Sequence, residues 1–194
     1  VSMEELVKNS LRQRPDRVLV GEVRGREAYN LLSAMNLGVH GIGTIHANNC
    51  RDAVSRLRSP PMNVPVQMLG NINVLVTLNR FQKGTTSERR VVEVVETGHI
   101  IKETLQIGDV YGYDPKKDEF IRDKFPAHII NNISERSGVS HREILLEQKR
   151  RKKILEYLVK HEVFIQHDFV AEIRKYYEDP KRYWEKVYAE IKKE

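Results

Sequence analysis

Two short apolar runs in the 194-residue sequence each end on a side chain capable of acid–base or phosphate chemistry. The first is Arg17-Val18-Leu19-Val20-Gly21-Glu22-Val23. An unbroken apolar run of this length reads as a strand buried on both faces, as in a parallel sheet. In an open α/β sheet, ligands sit beyond the carboxyl ends of the strands. A glutamate placed there can orient a water, or a water held on Mg2+, for attack on a phosphate. It can equally cap the helix that follows or pair with Arg24. The second run, Gly41-Ile42-Gly43-Thr44-Ile45-His46, puts a histidine at the end of the next strand. If the two strands are neighbours, Glu22 and His46 emerge at one sheet edge. His46 is then either a structural residue or a hydrogen-bonding sensor of a terminal phosphate.

The flanking sequence must position that edge. Ser2-Met3-Glu4-Glu5 has the spacing of a capping box and opens a helix that Pro15 stops. Arg26 to Leu37 reads as a helix with Ala28, Leu31, Leu32 and Met35 on one face, ended by Gly38. Asp52 to Leu57 reads as another. The alternation helix, strand, helix, strand, helix argues for the parallel α/β class. From Ile72 the pattern changes. Strands are expected at Ile72–Leu78, Arg89–Val95, near Ile100–Ile107 and near Glu119–Ile121. Gly84, Gly98, Gly108-Asp109, Gly112 and Asp114-Pro115 are expected as their turns, giving an antiparallel meander at the edge of the parallel sheet.

From Pro126 the chain turns helical. Ile129, Ile130 and Ile133 form one stripe, closed by Ser137-Gly138. Ser140-His141-Arg142-Glu143 is a second capping box, opening a helix to about His161. Asp168 to Tyr176 is a further helix. Asp179-Pro180 supplies an N-cap and a first-position proline for the last, to about Lys192.

Composition narrows the function classes. No stretch approaches the ~20 apolar residues of a membrane span, and no signal peptide is visible. The single cysteine, Cys50, excludes an internal disulfide and a four-cysteine zinc site. A cytoplasmic setting is expected. The net charge of +6 is concentrated at the two ends, with nine basic and six acidic residues over 1–58 and thirteen and ten over 147–194. That excess does not by itself demand nucleic acid. A chain that begins on Val1 is expected to be a piece of something longer.

The segment Leu6 to Pro61 resembles the second half of the motor domain of the type II/type IV secretion ATPases. These hexameric traffic ATPases drive secretion systems, pili and archaeal surface filaments. Arg14-Pro15-Asp16-Arg17-Val18-Leu19-Val20-Gly21-Glu22-Val23-Arg24-Gly25 matches their atypical Walker B box. Gly38-Val39-His40-Gly41-Ile42-Gly43-Thr44-Ile45-His46-Ala47 matches their His box. Pro61-Met62-Asn63-Val64-Pro65 and the Arg89–Val94 strand resemble the archaeal branch; after about residue 125 the likeness is weak. The resemblance implies the C-terminal half of a RecA-like P-loop NTPase domain over 1–125, with an antiparallel β extension, and a C-terminal helical subdomain over 126–194. It implies Glu22 as the Walker B glutamate, acting as catalytic base or positioning water and Mg2+, and His46 as the residue that contacts the γ-phosphate or couples it to movement. Arg24, His40 and Thr44 would support the nucleotide site. ATP and Mg2+ would serve the intact motor, with no direct metal ligand among these 194 residues and Mg2+ reached through water near Glu22. A homo-hexamer and a membrane platform protein would be its partners, at the inner face of the membrane, with no nucleic acid.

One departure matters. The P-loop pattern G-x-x-x-x-G-K-[ST] occurs nowhere in these 194 residues, so the chain alone is expected neither to hold nucleotide nor to turn it over. Two alternatives stay open: a non-catalytic paralogue that assembles with true motor subunits, and a DNA-handling module. The basic run Lys149–Lys153 reads as a solvated face on a helix whose Leu145, Leu146, Leu155 and Leu158 meet a core, or else as an acidic-lipid or nucleic-acid contact. Tyr176, Tyr177, Tyr183, Trp184 and Tyr188 read as the core of the helical tail or a surface that docks on another subunit. Cys50 reads as a small helix-start residue.

Overall fold

The structure, a computed structural model, describes residues 1–122 and 128–193, and of Lys83 the backbone alone. Helix α1 (Met3–Arg12) opens on the expected capping box: Ser2 Oγ accepts the Glu5 N–H at 3.2 Å, and Glu5 Oε2 accepts the Ser2 N–H at 2.7 Å. Strand β1 (Arg17–Val20), helix α2 (Glu27–Asn36) and strand β2 (His40–Gly43) form one βαβ unit. The two strands pair in parallel from Arg17 with His40 to Val20 with Gly43. A helical crossover forces this direction, because consecutive strands joined by a helix run the same way. Gly38, at φ +93°, supplies the left-handed step that ends α2. Helix α3 (Cys50–Arg58) and a short helix α4 (Val66–Leu69) follow.

The second sheet is antiparallel, in the order β3 (Val74–Lys83), β4 (Thr86–Ile101), β5 (Thr104–Asp114), β6 (Glu119–Arg122). Four helices come after it: α5 (His128–Ser137), α6 (His141–Lys160), α7 (Gln166–Glu178) and α8 (Pro180–Ile191). The chain forms two compact units, 1–129 and 130–194. The expected domain boundary at 125–126 falls outside the described residues. Among the described residues, no helix is long and apolar enough to cross a membrane.

Several expectations are corrected. Strand β1 is buried on one face only: Val18 and Val20 lie in the core, whereas Leu19 is 72% exposed, as is Ile42 of β2 at 63%. The cause is one-sided cover. Val7 of α1 and Ala28, Leu31 and Leu32 of α2 join Val18 and Val20 in one cluster, and the other face of the pair is open. The antiparallel strands form a sheet of their own rather than an edge of the parallel one. Gly98, Gly108 and Gly112 lie inside β4 and β5, not in turns. The reversal between these strands is made by Lys102 and Glu103, both at positive φ (46° and 58°), the geometry of a tight two-residue hairpin loop. Gly84 does sit in the β3–β4 turn, at φ +61°.

In the second unit, α6 opens on the Ser140–Glu143 capping box, and Asp179 caps α8 with Pro180 at its start. Its core joins Ile154, Leu158, Tyr176, Tyr183 and Val187. Leu146 and Leu155 are exposed rather than packed, and so are Tyr177 and Tyr188. The 149–153 run is exposed along its length.

Candidate functional site

The parallel pairing continues past the strand ends. Val23 N–H donates to Thr44 O at 2.8 Å, and the Thr44 hydroxyl donates to Gly21 O. Thr44 thus ties the two loops together, so that Glu22 and His46 leave the sheet side by side. Glu22 Oε1 lies 3.2 Å from His46 Nε2 and 2.7 Å from Arg24 Nε. Neither contact is aligned as a hydrogen bond, and this oxygen, almost closed to solvent, is left without an aligned donor. The Arg24 guanidinium holds the Glu22 carboxyl below the usual carboxylate range, with His46 and Arg56 adding to the effect.

The loop that presents Glu22 is organised by a second carboxylate. Glu27, at the start of α2, is buried, and its Oε1 accepts the N–H groups of Arg24 at 2.6 Å and Gly25 at 2.7 Å. Burial pushes the Glu27 carboxyl up, but these backbone donors bring it below its ordinary value. Arg56, on α3, donates from Nη1 to the His46 carbonyl. Glu22, Arg24, His46 and Arg56 line one cleft of about 370 Å³.

The structure therefore brings Glu22, Arg24, Thr44 and His46 together. It does not bring His40 to them. His40 stands at the amino end of β2, opposite Arg17 in register, and its N–H points to Asp16 O at 3.4 Å. Sequence reasoning missed Glu27 and Arg56. An acid in the first turn of α2, two and three residues after the N–H groups it accepts, is a legible signal for Glu27. Arg56 carries no local signal, because its partner is ten residues away. Cys50 is buried at the start of α3, and burial pushes its thiol up to about 12, so it is no nucleophile at neutral pH.

The description "type II/IV secretion system protein" belongs to the family whose sequence pattern matches residues 1–97, a span that holds the whole Glu22–His46 cleft. The chain belongs to that family. It is similar to the uncharacterized protein MJ1287 of Methanocaldococcus jannaschii, with 34% identity over 184 residues, 92% of this chain and 66% of that protein. It is also similar to the conjugal transfer protein TrbB of Rhizobium radiobacter, 38% identical over 49% of this chain and 30% of that protein. The type IV secretion system protein PtlH of Bordetella pertussis is 36% identical over 48% of this chain and 31% of its own length. The chain thus spans about two thirds of one of these family relatives and under a third of the other two.

Proposed function

We propose that this chain is the C-terminal part of an ATPase motor, RecA-like in its first unit, that powers a secretion or filament-assembly machine. The carrying observation is the 3.2 Å approach of His46 to Glu22 at the carboxyl ends of two parallel strands. That edge is where an open α/β sheet binds phosphate-bearing ligands. The names of the TrbB and PtlH relatives agree with a machine of this kind.

The residues present fit a polyphosphate. Two guanidinium groups and an imidazole converge on the cleft around a carboxylate held ionised. Glu22 orients the attacking water, and His46 hydrogen-bonds the terminal phosphate oxygen. Arg24 keeps Glu22 ionised and stands ready to exchange that contact for a phosphate. Mg2+ would be held near Glu22 through water. When bound it would neutralise charge on the phosphates. The phosphate cradle of a P-loop is not encoded in these 194 residues; the chain alone does not turn over ATP. The working form is a homo-hexamer seated on a membrane platform protein at the cytoplasmic face.

The test is Glu22→Gln in the full-length protein. Loss of a positioning or base contribution slows hydrolysis by about 100-fold to 10,000-fold, while ATP affinity changes little. An equal loss of affinity and turnover would assign Glu22 a structural role and overturn the reading.

A further inference from the structure

Helix α3 begins four residues after His46, and the antiparallel sheet grips its first turn. The Cys50 N–H donates to Glu93 Oε2 at 2.9 Å, and the Thr77 hydroxyl donates to the same oxygen at 2.9 Å. The Cys50 sulfur lies 3.2 Å from that hydroxyl. Thr77 on β3 and Glu93 on β4 are direct cross-strand partners, so their side chains share one face of the sheet. The ladder slips on both sides of Glu93, after Thr77 toward β3 and after Val94 toward β5. Such bulges re-aim side chains. Beyond the second slip, Asp109 comes within 3.7 Å of Arg51, also in the first turn of α3.

The helix does not need Glu93 for ordinary capping. Asn49 already accepts the Asp52 N–H at 2.8 Å, and the Asn48 amide donates to Asp52 Oδ2 at 3.1 Å. Glu93 takes a different orphan donor, the first N–H of the helix, where a carboxylate is also favoured by the helix dipole. Further along α3, Arg56 donates to the His46 carbonyl. The loop from His46 to Asn49 is therefore fixed at both ends by one helix; buried Ala53 and Leu57 hold the body of that helix, and among the contacts at its first turn Glu93 is the acceptor of its first N–H.

We propose that Glu93 is a positioning residue for the site: by holding the first turn of α3 it keeps His46 against Glu22 and links the antiparallel sheet to the phosphate-contacting histidine. Its catalytic meaning rests on the function proposed above; the clamp itself rests on the contacts alone.

The test compares Glu93→Ala, Glu93→Asp and Glu93→Gln in the 194-residue chain by amide exchange and by the ring-nitrogen resonances of His46. Alanine has no acceptor, and aspartate is one methylene short. Both are expected to speed exchange of the Cys50 amide by roughly 10-fold to 100-fold, the loss of a hydrogen bond to a charged acceptor. Both should also move the His46 ring resonances toward their positions in Glu22→Gln. Glutamine keeps an acceptor at full reach and is expected to stay within about 3-fold of the parent exchange rate, with His46 unmoved. Core amides such as those of Val18 and Leu31 should change less than that of Cys50. Unmoved His46 resonances in a loosened Glu93→Ala chain would overturn the proposal, and so would equal acceleration of all amides in the first unit. Undiminished hydrolysis by full-length Glu22→Gln would remove the catalytic reading alone, leaving the clamp to be decided by exchange and resonance.

Discussion

Gly41→Ala tests whether α2 packs on β2 as closely as the site requires. A Cβ built on Gly41 lies 2.7 Å from Met35 Cγ, 2.9 Å from Met35 Sδ and 3.1 Å from Leu31 Cδ1. Carbon atoms in contact prefer about 3.5–4.0 Å, so Met35 must find roughly 0.8 Å and Leu31 about 0.4 Å or more. Met35 is half-buried and can partly swing away, but Leu31 is in the core. Overpacking of this kind costs ~1–3 kcal/mol. Replacing glycine returns ~0.4–1 kcal/mol through the unfolded chain. The strain wins, and the net loss is about 0.5–2 kcal/mol. With a urea slope of ~1–3 kcal/mol/M, the midpoint of the first unit falls by a few tenths of a molar to about 1 M. The sole tryptophan, Trp184, lies in the second unit and does not report on the first. The assay is therefore a urea series followed by amide cross-peaks of residues such as Val18 and Leu32. Gly21→Ala is the control: its Cβ meets nothing within 4 Å, and its φ is not positive. It is expected to be neutral or slightly stabilising. A Gly41→Ala chain as stable as the parent, beside a destabilised Gly21→Ala, would refute the packing argument.

Glu27→Gln should weaken the acid dependence of the first unit. The Glu27 carboxyl lies below its ordinary value when folded, so its contribution is complete above the usual carboxylate range and is lost as pH falls through the folded value; urea midpoints from pH 7 to about pH 3 should fall less steeply in the variant. Ser140→Ala removes the hydroxyl that accepts the Glu143 N–H and should cost the helical unit ~1 kcal/mol, read by Trp184 fluorescence in urea. Ile154→Ala, at a position 2% exposed, should cost ~2–5 kcal/mol and shift the same transition further; a smaller effect than that of Ser140→Ala would contradict the core assignment.

What was legible in the sequence followed local rules. Both capping boxes, the Asp179–Pro180 helix start and the Gly38 stop appear as expected, because each is settled by residues within a turn of one another. The two strands that lead to Glu22 and His46 were legible from their apolar runs, and their parallel pairing from the helix between them, although β2 ends at Gly43 and His46 stands three residues beyond it rather than at its end. Three things were not. One-sided burial of β1 depends on what covers the other face, which a run such as Val18-Leu19-Val20 does not encode. The Lys102–Glu103 reversal uses two residues that carry no turn signal, while Gly98, Gly108 and Gly112, which do carry it, lie in bulged or ordinary strand. His40 shares a motif with His46, yet the strand between them sends the two to opposite ends. Contacts across long sequence distance, such as Cys50 with Glu93, were beyond any local pattern.

The sealed thiol of Cys50 has a practical consequence for spectroscopy. It is the chain's single cysteine, 2% exposed, with its ionisation pushed up to about 12. Maleimide and methanethiosulfonate reagents are attacked by thiolates, so the parent chain is almost silent to them at neutral pH. A cysteine introduced at an exposed position, such as Arg58 at the end of α3 or Lys181 at the start of α8, takes up a fluorophore or spin label alone. No background substitution is needed, and the Thr77–Glu93 contacts around Cys50 stay as they are while a labelled motion is followed.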